Sequence, residues 1–509
     1  MIHHPVNAKR ARLGLGLSLL VAALLRFWAL SQGIGFNPGV DEPEVMERAV
    51  RMMKTGDLNP HFFDYPGLYM YVETAVSIMR FMVGATQGKW AGLAQAPTED
   101  FYLWCRAMTA VLGTATVWVV YRAGLRWSPQ AALLGAVLIA VMPLHVRESH
   151  YVLTDVPATF VVMATFLLSL RAHERESLGA FAVAGVAAGL AGALKYNGVL
   201  AVTLPLLACL FTPRLRGSRL VCAMAIVGAT VAAFLAAAPY TVLDLPTFLN
   251  QFARLSSEYR SPPAVSEPVW IIYLKHLRIA LGRPGSAMVI AGFAVGVWRI
   301  AREPDRLRWI LALVFPLIYF RFVSNQNIIF ARYLLPIVPF LSLLAAAAVV
   351  AFVAWMRHAG VHARLRHTAT IALTIIAIAP PAYSAINYDA DAAKVWTQGL
   401  AYDWIRRELP PGTAIRLEGS LALKLPATYK TSVAKQLRMD GTDDYAGRGF
   451  QYLVASSQCY GAFVQDPASF PAEYADYQRL FAKTEEVARF TPSKDHPGPE
   501  LRILKVQQP

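Results

Sequence analysis

Four groups of polar residues in this 509-residue chain are of types and spacings that could do chemistry. Asp41 and Glu42 are adjacent carboxylates that open an amphipathic run through Val45, Ala49, Met52 and Met53. Acids at a helix start complement the helix dipole and cap free amides. The alternative role is a general base that takes the proton of an acceptor hydroxyl or amine. Lys195, followed by Tyr196 and Asn197, interrupts a long apolar stretch. An ammonium ion there costs on the order of a few kcal/mol unless it snorkels to headgroups or serves a purpose. Arg106, and Arg332 with Tyr333 behind it, stand in the same way near the starts of apolar stretches. Converging cations of this kind make a phosphate or pyrophosphate site, with arginine supplying forked hydrogen bonds. His145, Arg147, Glu148, His150 and Asp155 form the densest cluster. Its types include metal ligands, but its spacing matches no specific metal pattern. Thr154-Asp155 ahead of Pro157 also suits a helix cap.

The elements that must position these groups are membrane helices. The chain is 56% hydrophobic and 16% charged, whereas soluble domains carry about 25% charged residues. The formal net charge is +15, and residues 387–509 are balanced, so the whole excess rides on the hydrophobic part. Basic residues in short loops report membrane orientation rather than a polyanionic ligand, so nucleic acid is not an expected partner. The four cysteines show neither metal spacing nor a disulfide framework.

Apolar stretches at 11–31, 101–125, 129–146, 152–170, 179–211, 220–239, 283–299, 309–323, 332–355 and 368–386 are candidates to cross a hydrocarbon core about 30 Å thick. No cleavage site follows the first, so an uncleaved span is expected. Basic loops at Arg122/Arg126, Arg171/Arg175, Arg214/Arg216/Arg219, Arg302/Arg306/Arg308 and Arg357/Arg364/Arg366 should all share the cytoplasmic side with the N-terminus. That requires 179–211 to be a hairpin turning at Lys195–Asn197, and 66–86 to lie in the outer interface without crossing. The expectation is eleven spans, with the polar loops 32–64, 145–155, 240–282 and 325–333 outside. The tail from 387 has soluble composition. Helices are expected over 391–409 and 474–483, with strands over 414–417, 451–455 and 501–506, forming a small α/β domain outside the membrane.

The runs NPGVDEPEVMERAVRMMKTGDLNPHFFDYPGLYMY, CRAMTAVLGT, HVRESHYVLTDVPATF, GLAGALKYNG and FARYLLPIVPFLSLLAA occur in an order that resembles polyprenyl-phosphate-dependent glycosyltransferases of the GT-C fold. These are the bacterial relatives of protein O-mannosyltransferases and of the lipid A aminoarabinose transferase. The resemblance covers about residues 11–386. It implies a GT-C transmembrane domain over 1–386 of about eleven helices, with interfacial helices in a first outer loop, 32–100, and a separate extracytoplasmic domain over 387–509. It implies an inverting transfer of a monosaccharide from a polyprenyl-phosphate donor to a protein, lipid or glycan acceptor at the outer face of the cytoplasmic membrane. Asp41 would be the base, with Glu42 and Asp155 as further catalytic carboxylates. Arg106, Lys195 and Arg332, with Tyr196 and Tyr333 beside them, would hold the lipid phosphate. No cofactor is required, and a divalent metal stays open. Where aminoarabinose transferases commonly place a lysine before the proline of the first loop, this chain reads Asp64-Tyr65-Pro66.

A polytopic transporter or flippase of lipid-linked saccharides is the competing class. Such proteins usually carry internal repeats and a midplane site. This sequence shows no repeat, and its polar clusters sit at the ends of spans.

Overall fold

The computed structural model describes residues 8–37, 39, 41–260, 267–419, 423–440 and 445–507. The chain divides into two compact units, Met1–Leu30 with Glu44–Asp389, and Ser31–Pro43 with Ala390–Pro509. Among the described residues the first unit contains helices and loops, and all the strands belong to the second.

Six helical stretches of the described residues are long and apolar enough to cross a membrane. They are Glu99–Gly124, Asp155–Arg175, Pro213–Ala237, Val269–Arg302, Ala331–His358 and one opening at Ala363. Shorter apolar helices cover Pro129–Ala140, Leu178–Leu194 and Tyr196–Phe211. In lipid, apolar surface gives little drive for helices to associate, so close packing and hydrogen bonds must do it. Both devices are present. Gly185 and Gly189 of Leu178–Leu194 lie so close to the backbone of the helix Arg219–Ala237 that a β-carbon would collide with the Ile226 and Thr230 carbonyls. The Thr230 hydroxyl then reaches the Gly185 carbonyl at 3.0 Å. Elsewhere Phe340 joins Phe166 and Phe315, each ring pair 5.0 Å apart, and so ties together the helices Asp155–Arg175, Leu307–Val323 and Val338–His358.

The hairpin expected over 179–211 is present. Leu178–Leu194 ends where Lys195 adopts extended geometry, and the chain returns through a 3-10 turn, Tyr196–Val202, into Thr203–Phe211. The stretch 66–86 is helical over Leu68–Thr86. One expectation is corrected. The helix in 129–146 stops at Ala140, and Pro143 starts a separate short helix, Pro143–Glu148. The helix expected from 283 follows a break at Gly282, whose φ of +69° precedes Pro284, and a further helical segment leads from Val269 up to that break. The helix Ala363–Ala392 runs across 386/387 and buries Asp389 completely.

Helix direction separates two polar zones within the first unit. Asp155–Arg175, of 21 residues, is about 30 Å long. Near its Arg175 end, Glu174 takes two 2.7 Å bonds from Arg126, and His173 meets Thr212 at 2.8 Å. Arg308 bonds the Arg126 carbonyl at 2.7 Å and Glu303 at 2.8 Å. Three of the basic loops are thus gathered at the end remote from Asp155.

In the second unit the strands β1 (Ala414–Glu418), β2 (Lys430–Ala434), β3 (Tyr452–Ser456), β4 (Thr484–Phe490) and β5 (Leu501–Val506) form one sheet in the order β2-β1-β3-β5-β4. β1 pairs in parallel with β2 and β3, while β5 pairs antiparallel with β3 and β4. Helices cover Thr397–Glu408, Ser457–Gln465 and Pro471–Ala482. The sequence reading omitted β2, β4 and Ser457–Gln465. Both missed strands are sheet edges and largely exposed, so they lack the buried alternation that marks a strand. Glu418, at the end of β1, is buried and accepts hydrogen bonds from Leu437 N (2.7 Å), Ser456 N (2.8 Å) and the Tyr477 hydroxyl (2.5 Å). Burial raises its carboxyl above the ordinary glutamate range, and the three donors oppose that shift.

Candidate active site

Asp155 is the first residue of its helix, and the preceding Thr154 forms no side-chain cap bond. The Asp155 carboxylate faces Lys195 from the hairpin turn, with Nζ 2.5 Å from Oδ1. Arg332, in the 3-10 segment Ala331–Ile337, approaches the other oxygen at 3.7 Å. All three side chains are nine-tenths or more buried. A buried ion pair of this kind is stable only when geometry and extra contacts offset desolvation. Those contacts come from aromatic faces, with Lys195 Nζ 4.4 Å from the Tyr333 ring centre and the Arg332 guanidinium 4.1 Å from that of Phe330. The Tyr333 hydroxyl meets that of Tyr259 at 2.7 Å.

This cluster borders a cavity of about 540 Å³ lined by Asp64, Tyr65, Pro66, Lys195, Tyr196, Asn197, Phe252, Tyr259, Arg260, Asn325, Gln326 and Tyr333, among others. One wall is the helix Leu245–Arg260. It is anchored to the first loop by several bonds. Gln251 accepts from Phe63 N at 2.8 Å and donates to the His61 carbonyl at 3.2 Å. Arg254 grips Asp64 at 2.5 Å, which holds the guanidinium above its usual range. Asn59 donates to Asp244 at 2.8 Å. From the hairpin, the Tyr196 hydroxyl donates to the Phe63 carbonyl at 2.9 Å. From sequence no helix is assigned here, and 240–282 reads only as an outer segment with two proline-rich breaks. The first of those breaks, at 262–263, lies outside the described residues. The signal was present: Leu245, Phe248, Leu249, Phe252, Leu255 and Tyr259 follow helical spacing.

Of the residues singled out from sequence, the structure brings together Lys195, Tyr196, Arg332, Tyr333 and Asp155. Arg106 goes elsewhere. It is buried, donates to the Leu30 carbonyl at 2.9 Å, and lies 5.5 Å from the Tyr151 ring. The cluster 145–150 is likewise structural in its contacts. Arg26 donates to Nδ1 of His145 at 3.1 Å, and His150 sets its two ring nitrogens against the Val146 and Trp28 carbonyls at 2.9 and 2.8 Å. Glu148 is bound by Arg147 at 2.5 Å. Among the described residues no group of three or more His, Cys, Asp or Glu side chains is placed to hold a metal ion. Asp41 and Glu42 belong to the second unit by contact. Glu42 is buried, starts the helix Glu42–Thr55, and accepts from Gly39 N at 3.0 Å; Asp41 immediately precedes that helix and is half-buried.

A family model described as dolichyl-phosphate-mannose-protein mannosyltransferase matches residues 78–253. That range holds Arg106, Asp155, Lys195 and Tyr196. The chain shares its fold with ArnT from Cupriavidus metallidurans bound to undecaprenyl phosphate. That match has a TM-score of 0.58 at 16% identity and covers 98% of this chain and 99% of that one. It is similar, too, to the oligosaccharyltransferase AglB from Archaeoglobus fulgidus in complex with an inhibitory peptide and a dolichol-phosphate. There the TM-score is 0.57 at 12% identity, covering 92% of this chain and 72% of that one. A search of curated protein sequences returned no match. The fold is the GT-C fold expected from the motifs, with a C-terminal sheet domain. The resemblance to polyprenyl-phosphate-dependent glycosyltransferases is borne out by the family model over residues 78–253, and the shared fold accords with it.

Proposed function

We propose that this protein moves a monosaccharide from a polyprenyl phosphate to an acceptor protein, lipid or glycan, with inversion, at the outer face of the cytoplasmic membrane. The observation that carries the reading is the buried Lys195–Asp155–Arg332 cluster beside an aromatic-lined cavity. In a single displacement the acceptor oxygen bonds to the anomeric carbon as the bond to the lipid phosphate oxygen breaks. The phosphate leaves with its extra charge stabilised by Lys195 and Arg332, which stand preorganised where water is scarce. Asp155 acts through these cations as a positioning residue, holding both in place in the absence of donor. One carboxylate suffices to take the acceptor proton in an inverting transfer, and Asp41 is the proposed base.

The two polar zones of the first unit support the orientation in this reading. With the gathered basic loops in the cytoplasm, the cavity end faces outward, the chain crosses eleven times, and residues 390–507 lie outside. The isoprenoid tail stays in the bilayer while the acceptor arrives from water.

The test is turnover of undecaprenyl-phosphate-linked sugar by purified protein. Lys195→Met and Arg332→Met should each weaken donor binding about tenfold or more while the protein remains folded, and Asp155→Asn should weaken it less. Turnover with a nucleotide sugar alone, or wild-type donor binding by Lys195→Met, rejects the reading.

A further inference from the structure

The cavity wall carries one acceptor that the chain itself leaves unmet. Asn197 stands two residues after Lys195 and lines the cavity, and its side-chain oxygen is buried with no hydrogen-bond partner among the described residues. Buried polar atoms are nearly always satisfied, so an orphan beside an open cavity calls for a ligand donor. The charges around it point one way. Among the described residues lining the cavity the one carboxylate is Asp64, and Arg254 already holds it at 2.5 Å. Asp155, next to the cavity, is held by Lys195 and Arg332. The other charges on the wall are the cations Lys195 and Arg260. The rings of Tyr196 and Phe252, 5.3 Å apart edge to face, and the stacked pair Tyr259 and Tyr333 supply apolar faces against which the C–H face of a pyranose packs.

We propose that this wall selects a neutral, hydroxylated sugar on the donor and disfavours an amino sugar, and that Asn197 is a specificity-determining residue that accepts a hydrogen bond from a sugar hydroxyl. An ammonium group in this cavity meets the guanidinium of Arg260 and a Lys195 already paired with Asp155, and no unpaired carboxylate among the described lining residues. A hydroxyl meets the waiting amide oxygen. The inference rests on the glycosyltransferase reading above and adds the class of sugar.

The experiment compares binding of three lipids to the purified full-length protein in detergent at mildly acidic pH, where the amine is charged. They are undecaprenyl phosphate, undecaprenyl-phosphate-linked glucose and undecaprenyl-phosphate-linked glucosamine, the last two differing only in hydroxyl against ammonium. The glucose lipid should bind about tenfold or more tighter than the glucosamine lipid. Asn197→Ala should cost the glucose lipid about fivefold to twentyfold and leave bare undecaprenyl phosphate unchanged, which also reports that the variant is folded. Asn197→Asp should bring the glucosamine lipid up toward the glucose lipid by supplying the missing carboxylate. Equal binding of the two sugar lipids by wild type, or an Asn197→Ala loss shared by bare undecaprenyl phosphate, overturns the proposal while the enzyme class stands. Failure of all three lipids to bind removes the enzyme reading and this inference with it.

Discussion

Lys195 and Asp155, forty residues apart in sequence, meet at 2.5 Å with both side chains buried. The bond joins a hairpin turn to the first residue of a neighbouring helix, so it fixes the position of a cation on the cavity wall. Removing one partner leaves the other as a buried charge with poor compensation. Lys195→Met should therefore destabilise the protein by about 3 kcal/mol, the lower part of the range for broken buried pairs, because Arg332 remains 3.7 Å from Asp155. The double variant Lys195→Met/Asp155→Leu should recover part of that stability, limited by the loss of Asp155 as a counter-charge to Arg332, and none of the donor binding. Melting in detergent, followed beside donor binding, separates the two effects. A double variant no more stable than Lys195→Met would show that the pair is not the source of the loss.

The base can be assigned by comparing two first-loop carboxylates. Asp41→Asn keeps a side-chain acceptor oxygen, so loss of a cap alone costs a few tenths to about 1 kcal/mol, whereas loss of a general base lowers turnover by about 10² to 10⁴. Asp64→Asn keeps an oxygen for Arg254 and should reduce turnover less than about tenfold. Single-turnover rates measured at saturating donor decide between them. Near-normal Asp41→Asn turnover with a large Asp64→Asn loss would transfer the role to Asp64, which lines the cavity.

Burial of Glu418 gives the second unit a pH dependence whose sign follows from the raised carboxyl. Burial raises its folded value, so its contribution is fully present below the ordinary glutamate range and is lost as pH rises through the raised value. Relative to Glu418→Gln, wild-type β1 and β3 should be most protected at acid pH and lose that advantage toward neutrality. Glu418→Ala, which strands the Leu437 and Ser456 amides and the Tyr477 hydroxyl, should cost about 1–3 kcal/mol at any pH. Amide exchange of those strands in the full chain measures both. A constant difference between wild type and the Gln variant would contradict the assigned sign.

Asp57 provides the opposite case in an exposed turn. The Asn59 amide, then His61 and Arg51, hold its carboxyl down from 3.8 to about 2. A depressed value means the turn keeps this support above about pH 4 and loses it as pH falls through about 2. Protection of the Asn59 amide should fade over that window and be absent at all pH values in Asp57→Ala.

Sidedness is tested with single cysteines in a cysteine-free background. Lys494→Cys should react with an impermeant maleimide in whole cells, and Ser177→Cys only after lysis. Both residues are exposed. The reverse pattern would invert the proposed orientation.

The sequence by itself determined the membrane class, the positions of most helices, the hairpin at Lys195 and the GT-C resemblance. These depend on local quantities: apolar run length against bilayer thickness, the side on which basic residues are retained, and contiguous motifs. It also named Lys195, Tyr196, Arg332, Tyr333 and Asp155, because polar groups interrupting apolar stretches are conspicuous along the chain. Only the tertiary structure decided their partners. Arg106 and Lys195 look alike in sequence, yet one is spent on the Leu30 carbonyl and the other faces Asp155. Asp155 reads as a helix cap until the hairpin turn brings an ammonium ion to it. The helix Leu245–Arg260 was legible as a periodic pattern, but its service as a cavity wall depends on Gln251 and Arg254 finding loop residues some 190 positions away. A buried charge takes whichever counter-charge the packing of neighbouring helices supplies, and that packing is set by small residues and shape across elements, not by any property of the local run.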